Sequence, residues 1–97
     1  MSNYYFIYIL TNRYNKVLYI GVTNNLLKRV WEHINSENNF CFTKRYNVYK
    51  LVYYEEFYSI SDAIAREKQL KAGSRQRKID LINNFNSEWR DLYEEMI

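Results

Sequence analysis

Proline is absent from the 97 residues of this chain, and glycine occurs only at Gly21 and Gly73. This scarcity excludes a flexible linker rich in Gly or Pro, so we expect one domain spanning residues 1–97. The lone Cys41 excludes an internal disulfide, and a single histidine excludes a zinc site built from several His ligands. No apolar run approaches the ~20 residues of a membrane span, and the N-terminus lacks a secretory signal pattern. We therefore expect a cytoplasmic protein without a membrane partner.

Tyrosine, in contrast, is abundant: the chain contains 11 tyrosines and is 19% aromatic and 47% hydrophobic, which is typical of a globular protein. The net charge of +3 is modest, but the cations are concentrated in two segments. Cations beside aromatic residues favour nucleic-acid binding, although a basic run can also be only a solvated surface. The candidate nucleic-acid-binding residues are Lys44, Arg45, Lys68, Lys71, Arg75 and Arg77.

Aromatic and β-branched residues dominate positions 4–11 and 16–22, which predicts two strands joined by a polar hairpin loop. Closing Thr11 against Lys16 sets Tyr8 opposite Tyr19, and any register with an odd residue sum keeps both hydroxyls on one face. The same patterns predict a helix over 24–35, a polar loop over 36–46, a strand over 47–57, and helices over 60–72, 75–84 and from 88. The expected fold is α+β, with a small three-stranded, largely antiparallel sheet and helices packed around it.

Two polar residues lie at the edge of the apolar arc of the first helix. Arg29 and His33 are four residues apart, so they are neighbours on the helix surface where the core meets water. A cation at such a rim can approach a ligand while its aliphatic stem stays packed. Tyr8 and Tyr19 could by themselves be a stacked cross-strand pair, but a nearby Arg and His favour a site.

Glu67 is the clearest local conflict in the sequence. The helix over 60–72 begins with a capping signal at Ser59 and ends before Gly73. Its predicted apolar face contains Ile60, Ala63, Ile64 and Leu70 with Glu67 in the middle, whereas Asp62, Arg66 and Gln69 point away. A carboxylate aimed at a core is costly unless it is paired, protonated or bound to a cation. Glu67 is therefore either half of a structural ion pair or a functional ligand.

These positions form an ordered signature, namely Phe6-Ile7-Tyr8, Tyr19-Ile20-Gly21, Arg29, His33 and Glu67. In this signature the chain resembles the GIY-YIG nuclease superfamily, and most of all its short, stand-alone bacterial branch. The resemblance covers nearly the whole chain. Phe6 replaces the Gly of the first motif, which bears on local backbone shape more than on chemistry. A late Asn of some members has three candidate counterparts, Asn83, Asn84 and Asn86.

The resemblance implies a ββαβα core and a metal-dependent endonuclease that hydrolyses phosphodiester bonds in nucleic acid, DNA being expected, with little sequence specificity. Glu67 would bind one Mg²⁺ or Mn²⁺, and Arg29 would hold a phosphate oxygen. Tyr8 would be the base for water if its pKa fell, with Tyr19 orienting the water or phosphate and His33 supporting a phenol or relaying a proton. Two alternatives stay open: a non-catalytic nucleic-acid-binding module of the same fold, and a protein-interaction domain.

Overall fold

The computed structural model describes residues 4–35 and 50–97. Its elements are β1 (Tyr5–Thr11), β2 (Leu18–Thr23), α1 (Leu26–Asn35), β3 (Lys50–Phe57), α2 (Ile60–Ala72), α3 (Arg75–Phe85) and α4 (Leu92–Met96). The strands form one antiparallel sheet in the order β2-β1-β3. The predicted α+β fold is therefore confirmed, and the described elements follow one another in the predicted order. The last helix begins at Leu92 rather than at 88, because Asp91 caps it. The predicted polar loop over 36–46 and the first part of the predicted third strand, 47–49, lie outside the described residues.

The register of the hairpin differs from the predicted one by two residues. Thr11 pairs with Leu18 rather than with Lys16, so Tyr8 lies opposite Gly21 and Tyr19 lies opposite Leu10. The loop is longer because Asn12 organises it: its side-chain oxygen accepts hydrogen bonds from the backbone N–H groups of Lys16 and Val17, 2.8 and 3.3 Å away. The residue sum of each pair is still odd, so Tyr8 and Tyr19 share one face as expected.

Each face of the sheet is covered by helices, so the core has two layers. On one face, residues of β1, β2 and β3 pack with α2 and α3; the buried members are Ile7, Ile9, Ile20, Val52, Tyr53, Ala63, Leu70 and Ile82. On the other face they pack with α1 and α4; the buried members are Tyr8, Leu10, Leu26, Val30, Leu51 and Leu92. Strands buried on both faces explain why β1 reads as an almost unbroken apolar run.

The helices begin where short polar residues can cap them. Asn25 caps α1, because its side chain accepts a hydrogen bond from the N–H of Lys28, so α1 begins later than predicted. Ser59 and Ser74 cap α2 and α3 in the same way. In the part of the chain that the structure describes, no helix combines the length and the apolar character that a membrane crossing requires.

β3 is an edge strand, and side chains from the C-terminal segment bond to its backbone. Asp91 accepts a hydrogen bond from the N–H of Leu51, and the amide nitrogen of Asn86 donates to the carbonyl of Val52. Asn86 is buried and also bonds to both backbone groups of Arg90. Of the three late asparagines, Asn86 thus joins the end of α3 to the sheet, and its contacts are structural.

Candidate functional site

The centre of the candidate site is a hydrogen bond between Tyr8 and His33. The hydroxyl oxygen of Tyr8 lies 2.9 Å from Nε2 of His33 in a buried environment. Tyr8 comes from the middle of β1, and His33 comes from the last turn of α1, the helix that covers this face. The tertiary fold, rather than local sequence, brings these two side chains together.

Tyr19 and Arg29 complete a cluster of four side chains around this bond, which we call the tyrosine–histidine cluster. The Tyr19 ring meets the imidazole edge to face at 5.2 Å between centroids and lies 6.3 Å from the Tyr8 ring. Arg29 lies one helical turn before His33, and its guanidinium is close enough to act on the pKa of both Tyr8 and His33. Its Nε also pairs with Glu32 at 3.5 Å across an exposed surface. Four of the five expected catalytic side chains are therefore adjacent.

Burial governs the protonation states in this cluster. Burial raises the pKa of the Tyr8 phenol well above its usual value, and the neighbouring Tyr19 raises it further. The charge of Arg29 lowers the pKa of Tyr8, as expected from the sequence, but does not outweigh burial. The pKa of His33 is lowered by burial and by Arg29, so the imidazole is neutral at neutral pH. The fall in the Tyr8 pKa that the base role requires is therefore not met by Arg29 alone, because the hydroxyl is completely buried.

Gly21 makes room for Tyr8. A Cβ atom added at Gly21 would lie 2.5 Å from Cζ of Tyr8, far inside van der Waals contact. The outer end of the phenol ring therefore crosses directly over the backbone of β2. Any larger residue at position 21 would displace the ring from His33. This packing gives the glycine a steric role, and its backbone is not in the left-handed region.

Glu67 is half-buried on α2 between Ala63 and Leu70, with 17% of its side chain exposed. Its ion-pair partner is Lys71, whose Nζ lies 3.4 Å from a carboxylate oxygen and whose side chain is 55% exposed. The predicted apolar face is partly wrong, because Ile60 and Ile64 lie at the rim, 43% and 36% exposed. α2 packs on the face opposite α1, and no described contact joins Glu67 to the tyrosine–histidine cluster.

Sequence reasoning missed a second polar group on the α2 side of the sheet. Arg66 was expected to point away from the core. It forms a bidentate ion pair with Glu55 of β3, with 3.0 to 3.2 Å between its guanidinium nitrogens and the carboxylate oxygens. The Tyr53 hydroxyl donates to the same carboxylate, and burial together with Glu55 raises the pKa of Tyr53 to about 12. The i,i+2 spacing of Tyr53 and Glu55 places them on one strand face, but nothing in the sequence identifies Arg66 as their partner.

Among the predicted nucleic-acid-binding residues, the four that the structure describes do not form one patch. Lys44 and Arg45 lie outside the described residues, and Lys68 and Lys71 are exposed on α2. Arg75 donates to the carbonyl of Lys16 in the β1–β2 loop. Arg77 instead lines a cavity of about 240 Å³ between α2 and α3. Residues two apart on a helix face different ways, which explains why the basic run divides.

A model of the GIY-YIG catalytic domain matches residues 4–80, which include all of the cluster and Glu67. The chain belongs to the GIY-YIG family. Among curated proteins it is similar to UPF0213 proteins, with 40% identity to one from Syntrophus aciditrophicus over 70% of this chain and 78% of the relative. A UPF0213 protein of Clostridium perfringens is 38% identical over 81% of this chain and 83% of the relative.

The GIY-YIG fold of this chain also has a solved counterpart. The solution NMR structure of a UPF0213 protein from Bacillus halodurans aligns with a TM-score of 0.52 and 25% identity, covering 82% of this chain and 83% of that one. The two GIY-YIG motifs here are the adjacent strands β1 and β2, with Tyr8 of the first lying over Gly21 of the second. Phe6 fits at the first motif's glycine position because it lies in regular strand and packs edge-on against Tyr54.

Proposed function

We propose that this GIY-YIG protein is a metal-dependent endonuclease that hydrolyses phosphodiester bonds, with DNA as the expected substrate and little sequence specificity. The observation that carries the proposal is the Tyr8–His33 hydrogen bond with Tyr19 and Arg29 around it. Phosphodiester hydrolysis needs an activated water, a cation for the phosphoryl oxygens and a stabilised leaving oxygen. The cluster offers residues for the first two requirements.

The neutral imidazole is the proton acceptor in this proposal. The pKa of Tyr8 is raised and that of His33 is lowered, so both groups are neutral. We take the tautomer of His33 with its proton on Nδ1, in which Nε2 accepts the hydrogen bond from the phenol O–H.

As the water oxygen bonds to phosphorus, the water proton moves to the Tyr8 oxygen and the Tyr8 proton moves to Nε2 of His33. The bond from phosphorus to the leaving oxygen breaks in the same step, and the leaving oxygen takes its proton from solvent. Tyr8 thus acts as a base without first becoming a phenolate. Because Tyr8 is fully buried, the side chains that cover its hydroxyl must move aside when substrate binds and before this step.

Arg29 is the phosphate-binding residue of the proposal. Its guanidinium is partly exposed, is held at the cluster by its helix position, and pairs with the exposed Glu32. A phosphate oxygen can replace this weak surface pair at little cost. The planar fork of arginine suits two oxygens of one phosphate. Tyr19 lies beside the imidazole, where its hydroxyl can orient water or phosphate.

Glu67 is the proposed ligand of one Mg²⁺ or Mn²⁺. A half-buried carboxylate whose ion-pair partner is an exposed lysine fits a hydrated hard cation, which needs only one or two carboxylates. No group of three or more His, Cys, Asp or Glu that could hold a metal occurs in residues 4–35 and 50–97, so the remaining ligands would be water and phosphate oxygens. Glu67 and the tyrosine–histidine cluster lie on helices that cover opposite faces of the sheet, so this role requires a substrate that reaches around the sheet edge to both. When bound, the metal would neutralise charge on the phosphate and on the leaving oxygen.

The burial of Tyr8 supports a second candidate, a nucleic-acid-binding module without turnover. In that case Tyr8, His33 and Gly21 would be a packed core element, and the exposed cations would hold phosphate without cleaving it. The two functions differ in one measurable property. The binding module retains nucleic acid in the presence of Mg²⁺ or Mn²⁺, whereas the nuclease converts it to shorter products.

The test is a cleavage panel of single-stranded, duplex and branched DNA and RNA, each with Mg²⁺, Mn²⁺ or chelator. We expect metal-dependent products from the wild type and none from Arg29→Gln, which should still bind nucleic acid through the other cations, but more weakly because it lacks one phosphate contact. Arg90→Gln is the matched control, because Arg90 is also exposed and also pairs with a glutamate. Binding of every probe without cleavage under any metal condition would replace the nuclease by the binding module.

A further inference from the structure

We infer that the β1–β2 loop carries a binding surface for an unpaired stretch of nucleic acid, in which Arg75 is the one residue that already belongs to the set expected from the sequence. The surface consists of the exposed aromatic Tyr14 and four cations, Arg13, Lys16, Lys50 and Arg75, which we call the hairpin-loop cluster. The inference rests on the proposed function for its choice of ligand, and it adds the structural class of the substrate.

Three elements converge at this end of the sheet. Thr11 pairs with Leu18 on one side and with Lys50 on the other, so the start of β3 lies beside the loop. Nζ of Lys50 donates to the Asn15 side chain at 2.7 Å, and Arg75 at the start of α3 donates to the carbonyl of Lys16. Sequence positions 13, 16, 50 and 75 are thereby gathered around one loop.

Hydrogen bonds fix the backbone of the loop, so the positions from which its side chains extend are set before any ligand arrives. Asn12 bonds to the backbone of Lys16 and Val17, and the N–H of Asn15 donates to the carbonyl of Asn12 at 2.9 Å. Asn15 has a φ of 59°, a left-handed conformation that asparagine tolerates in turns. A preorganised surface loses less conformational entropy on binding than a flexible one.

The charge of the cluster is not neutralised within the described structure. None of its four cations forms an ion pair with a carboxylate of residues 4–35 or 50–97, whereas Arg29, Arg66, Lys71 and Arg90 each do. Unpaired cations on one exposed surface attract a polyanion and release its counterions when they bind phosphates. The cluster is therefore a described basic surface that suits a phosphodiester backbone.

The exposed ring of Tyr14 indicates that the ligand has unpaired bases. Its side chain is 64% exposed, although nothing in a hairpin loop requires a large aromatic residue. The guanidinium of Arg13 lies 4.9 Å from the centre of its ring, which holds the ring by a cation–π contact. An exposed ring among cations is the combination that single-stranded nucleic acid uses, because unpaired bases stack on it. Bases stacked within a duplex are not available to such a ring.

The position of the surface fits a substrate that also reaches the tyrosine–histidine cluster. Tyr19 and Lys16 are three residues apart at the end of the same hairpin. With a rise of about 3.4 Å per residue in extended chain, the two sites are separated by roughly 10 Å. One strand of nucleic acid can span this distance, so the hairpin-loop cluster would hold an unpaired segment that flanks the cleaved bond.

The experiment measures binding of labelled single-stranded DNA, single-stranded RNA and duplex DNA of equal length by fluorescence anisotropy, at several salt concentrations, in chelator. Folding of each variant is checked by circular dichroism. Tyr14→Ala should weaken binding of single strands by about 5- to 100-fold and leave duplex affinity nearly unchanged. Tyr14→Phe should bind like the wild type because it keeps the ring.

The charge contribution has a matched pair of variants. Arg13→Gln with Lys16→Gln should reduce the slope of log affinity against log salt for single strands by roughly 1.4, because each phosphate that is no longer neutralised accounts for about 0.7. Arg90→Gln with Lys28→Gln removes the same charge elsewhere; Lys28 lines a cavity beside Tyr4 and Phe6, at the other end of the sheet. This control should keep the wild-type slope.

Equal slope changes in the two double variants would overturn the inference, and so would an equal loss of duplex and single-strand affinity on Tyr14→Ala. The inference would also be overturned if the wild type bound none of the three probes. Comparison of the two single-stranded probes shows whether the surface prefers DNA or RNA. Binding that follows the expected pattern without cleavage in the metal panel would leave this inference standing while the nuclease proposal fails.

Discussion

Tyr8 and Gly21 face each other across the β1–β2 ladder, and the phenol ring of Tyr8 occupies the space where a side chain at position 21 would begin. The hydrogen bond from Tyr8 to His33 depends on this contact, because the ring must cross β2 to bring its hydroxyl to the imidazole. The glycine of the second motif thus controls the geometry of the first motif's tyrosine.

Gly21→Ala should therefore destabilise the protein by about 1–3 kcal/mol, the usual cost of overpacking a core. Gly73→Ala is the matched control, because an added Cβ there would meet its nearest atom at 3.4 Å with φ at −76°. Urea unfolding measures both. A Gly21→Ala protein as stable as the wild type would show that the Tyr8 ring can adopt another packing without loss of stability.

The single histidine allows a direct titration of the cluster by NMR. We expect the pKa of His33 to lie below its usual value of about 6.5, and Arg29→Gln to raise it, since Arg29 contributes to lowering it. Arg13→Gln removes an equal charge from the hairpin loop and should leave the His33 pKa unchanged. A shift of equal size in both variants would mean that net charge, and not the adjacent guanidinium, sets this pKa.

The lowered pKa of His33 also predicts how stability depends on pH. The unfolded state binds a proton at about pH 6.5 and the folded state only at lower pH, so stability is complete above this value and falls as the pH drops below it. For Tyr8 the folded pKa is raised, so its contribution is present below about pH 10 and is lost at higher pH. Unfolding in urea between pH 5 and 8 tests the first effect; His33→Gln should flatten the curve.

Tyr8→Phe isolates the hydroxyl from the ring. The ring still fills the space over Gly21, but His33 loses the O–H that reaches its Nε2. We expect cleavage to fall by about 10²- to 10⁴-fold, the usual contribution of a positioned acid or base. If Tyr8 and His33 act as one proton path, Tyr8→Phe with His33→Gln should be no slower than the slower single variant. Multiplicative losses would assign the two residues separate roles.

Glu67→Gln separates the metal ligand from a structural ion pair. Because Lys71 is exposed, loss of the Glu67 charge leaves no cation buried, and stability in chelator should change by less than about 1 kcal/mol while cleavage is lost. Glu55→Gln is the contrasting variant, since it breaks the two-pronged pair with half-buried Arg66 and should cost about 1–3 kcal/mol. Thermal melts in chelator measure both, and a large loss of stability for Glu67→Gln would exclude the metal assignment.

The fold was largely predictable because each element carries its own local signal. Unbroken aromatic and β-branched runs identify β1 and β2, and Ser59 marks the start of α2. The shared face of Tyr8 and Tyr19 also follows from the sequence, since it requires only an odd register sum. The register itself was missed because the side chain of Asn12 bonds two backbone groups and lengthens the loop, which residue type alone does not reveal.

The details of the site depended on contacts between distant parts of the chain. The direction of the Tyr8 pKa shift depends on how completely α1 covers the hydroxyl, and the sequence indicates only that Arg29 is near. Ile60 and Ile64 were misplaced for a similar reason. α2 faces the sheet with Ala63 and Leu70, and on this side Arg66 bonds to Glu55, a pair 11 residues apart that crosses from helix to strand.

The bonding of Asn86 and Asp91 to the backbone of β3 has a consequence for behaviour at high concentration. An edge strand with free backbone groups invites another copy of the chain to add its own strand, which is a common origin of aggregation. Here the peptide groups of Leu51 and Val52 are engaged by side chains from the same molecule. The C-terminal segment thus protects the edge strand β3 from pairing with another copy of the chain. A substitution at Asn86 should therefore be seen first as a loss of solubility.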